Sequence, residues 1–257
     1  MTTSDTSQAV LTLTGVSKRF GGLDVIKDVS MSVYAGNRTA LIGPNGAGKT
    51  TLFNLLSGVY PLDEGKIFLD GQDISTMAAH KRCRAGLSRS FQNIRLMPHL
   101  STVENVMLGQ HSRSSFAGML YPIGIGRNRA VKTAENALAN AGLDTYRGQI
   151  VADLPYGVQK RIEVVRALMA RPKLLLLDEP AAGLNASETD ALLALLQQIS
   201  DGGVTLLVVE HDMHFVSRLC QEVVVLNFGE KIFHGTPEAA QQESAVLEAY
   251  LGTDHVA

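Results

Sequence analysis

Eight consecutive residues, Gly43-Pro44-Asn45-Gly46-Ala47-Gly48-Lys49-Thr50, match the pattern G-x-x-x-x-G-K-[ST] at every fixed position. In such a loop the glycines let successive backbone N–H groups turn toward phosphate oxygens, and the helix that follows points its positive dipole end at the same charge. Lys49 would reach the β- and γ-phosphates, and the hydroxyl of Thr50 would hold Mg²⁺. The sequence therefore predicts a site for a nucleoside triphosphate.

The residues on both sides of this loop have the spacing that the motif requires. Residues 38–42 read as a short buried strand, and residues 51–56 have helical apolar spacing. The order of strand, loop and helix distinguishes a phosphate-binding loop from a glycine-rich turn that ends in Lys-Thr by chance.

A second group of candidate catalytic residues follows the run Leu174-Leu175-Leu176-Leu177. A continuous apolar run is typical of a buried parallel strand, and this one ends in Asp178 and Glu179, where ligands bind to parallel sheets. Asp178 suits the coordination shell of Mg²⁺, and Glu179 is placed to polarise an attacking water. The pair alone is a weak signal, since many surface turns carry Asp-Glu after a strand. Together with the phosphate-binding loop it indicates hydrolysis.

Two further polar residues follow predicted strands. Gln92 comes after the run 87–91, and its amide could join the metal or the water. His211 comes after the run 206–210 and could contact the γ-phosphate. Each has a simpler interpretation on its own, because such a glutamine is more often a surface residue and such a histidine a helix cap or a packed side chain.

Composition sets the broad class of protein. Of 257 residues, 45% are hydrophobic and 19% charged, which is ordinary for a large α/β domain or a core with a smaller subdomain. The 23 basic and 25 acidic residues give a net charge of −2, so no basic surplus favours nucleic acid as a partner. Cys83 and Cys220 are too few for a disulfide framework and lack metal-ligand spacing with the seven histidines.

The chain also lacks the sequence signals of a membrane-inserted or secreted protein. Residues 1–8 are polar, without the charged and apolar regions of a signal peptide. No apolar stretch approaches the roughly 20 residues needed to cross a bilayer. We therefore expect synthesis to end in the cytoplasm and any membrane association to depend on a partner.

The remaining pattern predicts an α/β core at both ends of the chain and a helical insertion at roughly 93–165. Further strands are predicted at 9–14, 29–34, 66–69, 204–209, 222–226 and 231–233. Further helices are predicted at 101–108, 127–141, 156–170, 187–200 and 211–220, followed by short C-terminal helices. Residues 111–126 combine glycine, proline and serine and read as a loop or a partly helical excursion.

In this order the pieces resemble the ATP-binding subunit of ABC transporters over nearly the whole chain. The resemblance implies an α/β fold in which a P-loop NTPase (RecA-like) core carries an antiparallel β subdomain and an inserted α-helical subdomain. It divides the chain into 1–92, the first part of the ATP-binding core, 93–165, the helical subdomain with the signature motif, and 166–257, the rest of the core.

The resemblance also implies roles for individual residues, with ATP and Mg²⁺ as cofactors. The nucleotide would be bound by Phe20, which stacks on adenine, by the Walker A residues Asn45, Gly46, Ala47, Gly48, Lys49, Thr50 and Thr51, and by the signature residues Leu154 and Gly157. The catalytic residues would be Glu179 of the Walker B pair, the Q-loop residue Gln92 and the switch histidine His211. The metal would be held by Thr50, Gln92 and Asp178, and residues 183–185 fall on the D-loop.

The signature is where this chain departs from the family pattern. The consensus Leu-Ser-Gly-Gly-Gln falls on Leu154-Pro155-Tyr156-Gly157-Val158, which retains only the leucine and the second glycine. In a two-subunit ATP sandwich the serine would donate to the γ-phosphate at the opposite subunit, and Pro155 has no such donor. Gly157 and the N-terminus of the following helix can still offer N–H groups. We expect this signature to serve the opposite site less strongly than the consensus.

Several local patterns are similar to one subgroup, the ATPases of branched-chain amino acid importers. They are Leu-x-Tyr-Gly-x-Gln, Pro-Ala-Ala-Gly-Leu-Asn at 180–185, Val-Glu-His-Asp-Met at 209–213 and Gly-Thr-Pro-Glu at 235–238. Val158 departs from the glutamine that is common there. The resemblance implies two polytopic membrane subunits, a second, paralogous ATPase and an external solute-binding protein. It places the chain on the cytoplasmic face of the inner or plasma membrane through its partners, with a heterodimer favoured over a homodimer.

In the family, coupling helices of the membrane subunits dock beside the Q-loop. Residues 93–100 have exposed-looking apolar residues at that place, although an ordinary connection into the insertion is the alternative. Other functions stay open at this point: a soluble ABC-type ATPase that acts on ribosomes or DNA, or an importer ATPase for urea or short amides. A GTP-binding switch would show an Asn-Lys-x-Asp motif, which the sequence lacks. A binding module without turnover is disfavoured by Glu179.

Overall fold

The computed structural model describes residues 8–90, 94–110 and 125–251. Its strands are β1 (Ala9–Phe20), β2 (Leu23–Tyr34), β3 (Arg38–Ile42), β4 (Glu64–Leu69), β5 (Gln72–Asp73), β6 (Leu87–Arg89), β7 (Leu174–Asp178), β8 (Thr205–Val209), β9 (Glu222–Asn227) and β10 (Glu230–Gly235). Its α-helices are α1 (Lys49–Ser57), α2 (Ala79–Ala85), α3 (Thr102–Leu108), α4 (Ile125–Asn140), α5 (Tyr156–Leu168), α6 (Ala186–Asp201), α7 (Met213–Leu219), α8 (Pro237–Ala240) and α9 (Ser244–Leu251). Within these ranges no helix is both long and apolar enough to span a bilayer.

A six-stranded sheet with the order β10-β9-β3-β8-β7-β6 forms the centre of the fold. Strands β6, β7, β8, β3 and β9 pair in parallel, and β10 adds an antiparallel edge. Every residue of β7 and β8 is buried, as expected for strands covered on both faces. The carboxyl ends of β3, β7 and β8 therefore meet at one edge, where the phosphate-binding loop, Asp178 and His211 follow.

A second sheet has the order β2-β1-β4-β5 and is antiparallel. Strands β1 and β2 are longer than the sequence predicts and run to the tight turn at residues 21–22, with register shifts along their pairing. The apolar face of this sheet and the buried face of α1 enclose one hydrophobic cluster with the near side of the central sheet. A second cluster joins the far side of the central sheet to α3–α7.

The helices agree with the predicted positions, with differences at their ends. The capping box that predicts α3 is confirmed, because Ser101 and Glu104 exchange both hydrogen bonds. The predicted helix 211–220 is too long, since α7 begins at Met213 and the Asp212 side chain accepts from the His214 N–H. The predicted excursion at 111–126 lies mostly outside the described residues. The predicted domain boundary at 165/166 falls inside α5, and the division into three parts stays a prediction.

Helix α2 is not predicted by the sequence, and it brings a buried cation into the core. Arg82 is 2% exposed and donates to the carbonyls of Leu55 at 2.5 Å and Leu56 at 2.8 Å. It also donates to the carbonyls of Met77 at 2.7 Å and Ser75 at 2.9 Å. Arg82 thus ties α2 to the C-terminal end of α1.

The chain that leads into the helical insertion is held to α5 through its main chain. The N–H of Arg95 donates to Glu163 Oε1 at 3.1 Å, and the carbonyl of Arg95 accepts from Arg166 Nη1 at 2.6 Å. Glu163 is 2% exposed, and its burial raises its pKa. The connection between this segment and α5 is therefore a polar contact that is buried at Glu163 and exposed at Arg95.

Candidate active site

The phosphate-binding loop has a backbone that only glycine can adopt at two of its positions. Gly43 has a φ of 149°, and a Cβ there would lie 2.1 Å from the Leu226 carbonyl oxygen. Gly48 has a φ of 102°, and a Cβ there would lie 2.7 Å from Ile26 Cδ1 and 2.9 Å from the Val25 carbonyl oxygen. These contacts to β2 and β9 fix the path of the loop, so the fixed glycines of the motif have a steric cause.

Lys49 is the first residue of α1 and is 8% exposed. Its Nζ donates to the carbonyls of Gly43 at 2.7 Å and Pro44 at 3.0 Å. Burial lowers the pKa of Lys49, and the charges of Glu179 and Asp178 act in the opposite direction. The ammonium therefore lies across its own loop, with the two carboxylates nearby.

The other predicted residues of the phosphate-binding loop differ in their solvent exposure. Asn45, Gly46 and Thr50 are exposed, and Thr51 is half-buried. Ala47 is buried, and its carbonyl accepts from the Gly229 N–H at 3.0 Å. From the other end of the chain, burial raises the pKa of Tyr250 on α9, and the nearby Gly43 backbone opposes this shift. The loop backbone is therefore held in place by β2, β9 and the Gly229 N–H.

The two carboxylates at the end of β7 have different surroundings. Asp178 is 5% exposed, and its Oδ2 accepts from Arg89 Nη2 at 2.6 Å. Glu179 is half-buried and has a φ of 46°, which is unusual for a residue other than glycine. Its N–H donates to the Val209 carbonyl at 2.9 Å, which fixes this conformation. The chain turns sharply at Glu179, and Asp178 stays within the sheet.

A buried carboxylate that the sequence does not reveal joins the D-loop to His211. Glu210 is 1% exposed, and it accepts from the Ala181 N–H at 2.9 Å and from the His211 N–H at 3.2 Å. Burial raises the pKa of Glu210, although both hydrogen bonds oppose the shift. The His211 side chain is 65% exposed, with Nδ1 3.9 Å from Glu210 Oε2. Glu210 holds the backbone on both sides of the predicted catalytic edge.

Of the other predicted site residues, Gln92 lies outside the described part of the chain. Phe20 ends β1 and is 42% exposed, with its ring 5.2 Å from that of Tyr60 in an edge-on contact. The Lys18 ammonium lies 5.4 Å from the Phe20 ring centroid. An exposed ring of this kind is available for stacking, as the adenine role requires.

The signature segment contacts the D-loop of its own chain. The Gly157 N–H donates to Glu188 Oε1 at 3.3 Å, and Glu188 also completes the capping box at the start of α6. The ring of Tyr156 lies against Gly183, where an added Cβ would be 3.2 Å from Tyr156 Cε1. The Leu154 side chain is buried in the hydrophobic cluster between the central sheet and α3–α7. In this structure the Gly157 N–H, which we expect to serve the opposite subunit, is bonded to Glu188.

Comparisons with known proteins agree with this architecture. Residues 26–182 match the family model described as ABC transporter. The chain belongs to the ABC transporter family, as one of its ATP-binding cassettes. Residues 230–256 also match a model described as branched-chain amino acid ATP-binding cassette transporter.

Curated relatives align over nearly their whole length. BraF of Pseudomonas aeruginosa, a high-affinity branched-chain amino acid transport ATP-binding protein, is 40% identical over 96% of this chain and 99% of its own. LivG of Escherichia coli K12, with the same description, is 36% identical over the same shares. LptB of Escherichia coli K12, a lipopolysaccharide export system ATP-binding protein, is 31% identical over 96% of this chain and 98% of its own.

Solved structures show the same fold. A nucleotide-free ATP-binding cassette from an ABC transporter has a TM-score of 0.85 and 26% identity, over 95% of this chain and 100% of that chain. A second cassette, in its ADP conformation, has a TM-score of 0.86 and 27% identity, over 96% of this chain and 100% of that chain. The P-loop NTPase fold predicted from the sequence is thereby confirmed.

Proposed function

We propose that this chain is the ATP-hydrolysing subunit of an importer for branched-chain or related amino acids. The observation that carries the proposal is the match of residues 230–256 to the branched-chain amino acid cassette model, together with 40% identity to BraF. This segment contains α8 and α9. The likeness to LptB keeps an exporter as the alternative within the family.

The positions of the described site residues support ATP hydrolysis. The N–H groups of the loop would bind the phosphates, and Lys49 would exchange its two carbonyl partners for phosphate oxygens. Glu179 projects from the end of β7 and would polarise the attacking water. His211, exposed at the next strand end, would contact the γ-phosphate. Phe20 would hold the adenine.

The residues present also fit Mg²⁺. The hydroxyl of the exposed Thr50 and the Asp178 carboxylate supply hard oxygen donors at the start of α1 and at the end of β7, which meet at this edge. Gln92 would be the third member of the set. When bound, the ion would neutralise charge on the β- and γ-phosphates.

Glu179→Gln tests the catalytic assignment. The amide cannot accept a proton from water, so we expect turnover to be lost while ATP stays bound. The measurement is phosphate release beside retention of labelled ATP. Wild-type turnover in this variant would remove Glu179 from the catalytic role.

We propose further that two ATP molecules are sandwiched between this chain and a paralogous ATPase. The weak signature supports a heterodimer, because Pro155 cannot donate a hydrogen bond and the Gly157 N–H must leave Glu188 to reach a phosphate. A homodimer is the competing arrangement. Light scattering of the Glu179→Gln chain with ATP, alone and with a copurified second ATPase, separates the two.

The structure changes which residues of the segment 93–100 we propose to contact the membrane subunits. Leu96 lies in the segment 93–100, which the sequence predicts to expose its apolar residues. It is 8% exposed and packs in the hydrophobic cluster between the central sheet and α3–α7. Met97 is 51% exposed, and Arg95 and His99 are exposed beside it. We therefore propose Arg95, Met97 and His99 as the docking residues.

The docking surface is tested with the double substitution Arg95→Asp and Met97→Asp. We expect transport to be lost while ATP hydrolysis by the isolated chain is retained, because both side chains are exposed. Lys66→Asp, on the exposed side of β4, is the matched control and should transport normally. Normal transport by the double variant would place docking elsewhere.

The first experiment for the whole proposal is copurification from membranes in mild detergent, with a tag on this chain. Recovery of two polytopic proteins and a second ATPase is the expected result. Uptake of labelled leucine and labelled urea by the reconstituted complex with its external binding protein then separates the candidate solutes. Recovery of ribosomes or soluble factors without any membrane protein would contradict the proposal.

A further inference from the structure

We propose that Arg89 is a positioning residue for the nucleotide site, which fixes the Asp178 carboxylate to the helix that follows the phosphate-binding loop. The inference rests on the proposed place of Asp178 in the Mg²⁺ site. It adds a residue that neither the motif pattern nor the proposed mechanism includes.

The contacts of Arg89 span the two halves of the site. Nη2 donates to Asp178 Oδ2 at 2.6 Å, at the end of β7. Nη1 donates to Asn54 Oδ1 at 2.7 Å and to Ser57 Oγ at 3.0 Å, both on α1. The guanidinium carbon also lies 5.7 Å from the centroid of the Phe53 ring on the same helix. One side chain therefore contacts both α1, which begins at Lys49, and the predicted metal carboxylate.

The fold places Arg89 where it can make this bridge. Strand β6 pairs in parallel with β7, and Arg89 is opposite Leu176, two residues before Asp178. The side chains of Arg89 and Asp178 are only 9% and 7% exposed, so solvent screens the pair weakly. A buried charge pair of this kind holds its geometry firmly, because separating the partners leaves an unpaired charge in the protein interior.

The bridge requires the shape of arginine as well as its charge. A guanidinium is planar and offers donors in fixed directions, so it can bond to a carboxylate and to a second element at once. A lysine ammonium carries the same charge at one point and cannot reproduce both sets of bonds. Replacement by lysine thus separates the effect of charge from the effect of bridging.

The bridge determines how Asp178 meets a metal. The hydrogen bond from Arg89 to Oδ2 fixes the orientation in which the Asp178 carboxylate would offer its remaining lone pairs to a metal or its water. Outer-shell partners that orient a ligating carboxylate commonly change metal affinity about 10-fold to 100-fold when they are removed. We expect Arg89 to act on the Mg²⁺ dependence of nucleotide binding, and to have little effect on contacts between phosphates and loop.

The test measures ADP affinity of the full-length chain by calorimetry, with excess EDTA and across a Mg²⁺ titration. For Arg89→Met we expect affinity in EDTA within about twofold of wild type and a Mg²⁺ requirement raised about 10-fold or more. For Arg89→Lys we expect the Mg²⁺ requirement to return less than halfway to the wild-type value on a logarithmic scale. The matched control is Lys81→Met, an exposed cation on α2, which should change neither quantity.

A second variant leaves the buried ion pair in place. The double substitution Asn54→Ala and Ser57→Ala keeps Arg89 and Asp178 but removes both hydrogen bonds to α1, and we expect it to raise the Mg²⁺ requirement severalfold. The inference is overturned if this variant has the wild-type requirement, or if Arg89→Lys restores it fully. Asp178→Asn tells the two proposals apart, because an unchanged Mg²⁺ requirement there would refute the metal site itself.

Discussion

Replacing Arg82 with methionine should lower the free energy of unfolding more than any ordinary surface substitution. Arg82 is almost completely buried, and its four hydrogen bonds all go to main-chain carbonyl oxygens. Burial lowers its pKa from the ordinary value, yet a guanidinium stays charged at any physiological pH. The side chain therefore acts as a cationic cap on the last turn of α1, where carbonyls have no partner within the helix.

The magnitude follows from which carbonyls lose their donor. The Leu55 and Leu56 carbonyls are bonded to Arg82 in a buried setting, but the Leu55 carbonyl also accepts from the Gly58 N–H at 3.2 Å and keeps that donor. The carbonyls of Ser75 and Met77 are partly buried, where water can replace the guanidinium. A buried acceptor without a donor costs about 1–3 kcal/mol, so the Leu56 carbonyl gives a loss of about 1–3 kcal/mol. Methionine fills most of the arginine stem, which keeps the packing contribution small.

The assay is urea unfolding of the full-length chain, followed by circular dichroism. Lys81→Met on the same helix is the control, because Lys81 is exposed and should change the free energy of unfolding by less than about 1 kcal/mol. If Arg82→Met and Lys81→Met are equally stable, the carbonyl cap contributes nothing and the reasoning is refuted.

Three further predictions concern other parts of the chain. Gly48→Ala should raise the Kd for ADP about 5-fold to 150-fold in calorimetry, since relieving the Cβ overlap costs about 1–3 kcal/mol; an unchanged Kd would contradict the steric account. Leu96→Asp should lower the free energy of unfolding by about 3–5 kcal/mol, because it places a charge in the core. Met97→Asp should change it by less than about 0.5 kcal/mol in the same urea experiment, and equal losses would refute the assigned burial. Burial raises the pKa of Cys220 to about 12, so in mildly alkaline buffer iodoacetamide should label only the half-buried Cys83 before unfolding and both cysteines after it. Mass spectrometry counts the labels, and rapid native labelling of Cys220 would contradict its burial.

The parts of the site that local sequence specifies were predictable. The phosphate-binding loop and the strand before Asp178 combine a fixed spacing with an apolar run, and both signals lie within a few residues. The sequence also predicts the start of α3, because a capping box is a contact between residues three positions apart. Such features need no knowledge of the fold.

The residues that sequence reasoning missed depend on contacts between distant segments. Arg89 and Asp178 are 89 positions apart and meet because β6 and β7 are neighbours in the sheet. Glu210 bonds to the N–H of Ala181, 29 positions away, and a main-chain partner leaves no trace in residue type. Arg82 was missed for the same reason. A buried charge whose partners are backbone groups looks like an ordinary surface residue in the sequence.

The contact between Arg95 and α5 has a consequence for how such subunits can change. Glu163 and Arg166 bond to the N–H and the carbonyl at position 95, and neither contact involves the Arg95 side chain. Every residue except proline supplies the same two backbone groups. The side chain that we propose faces a membrane partner can therefore be exchanged for any other except proline without removing these two hydrogen bonds. At this position the choice of partner can change through the side chain, while the main chain keeps its hydrogen bonds to α5.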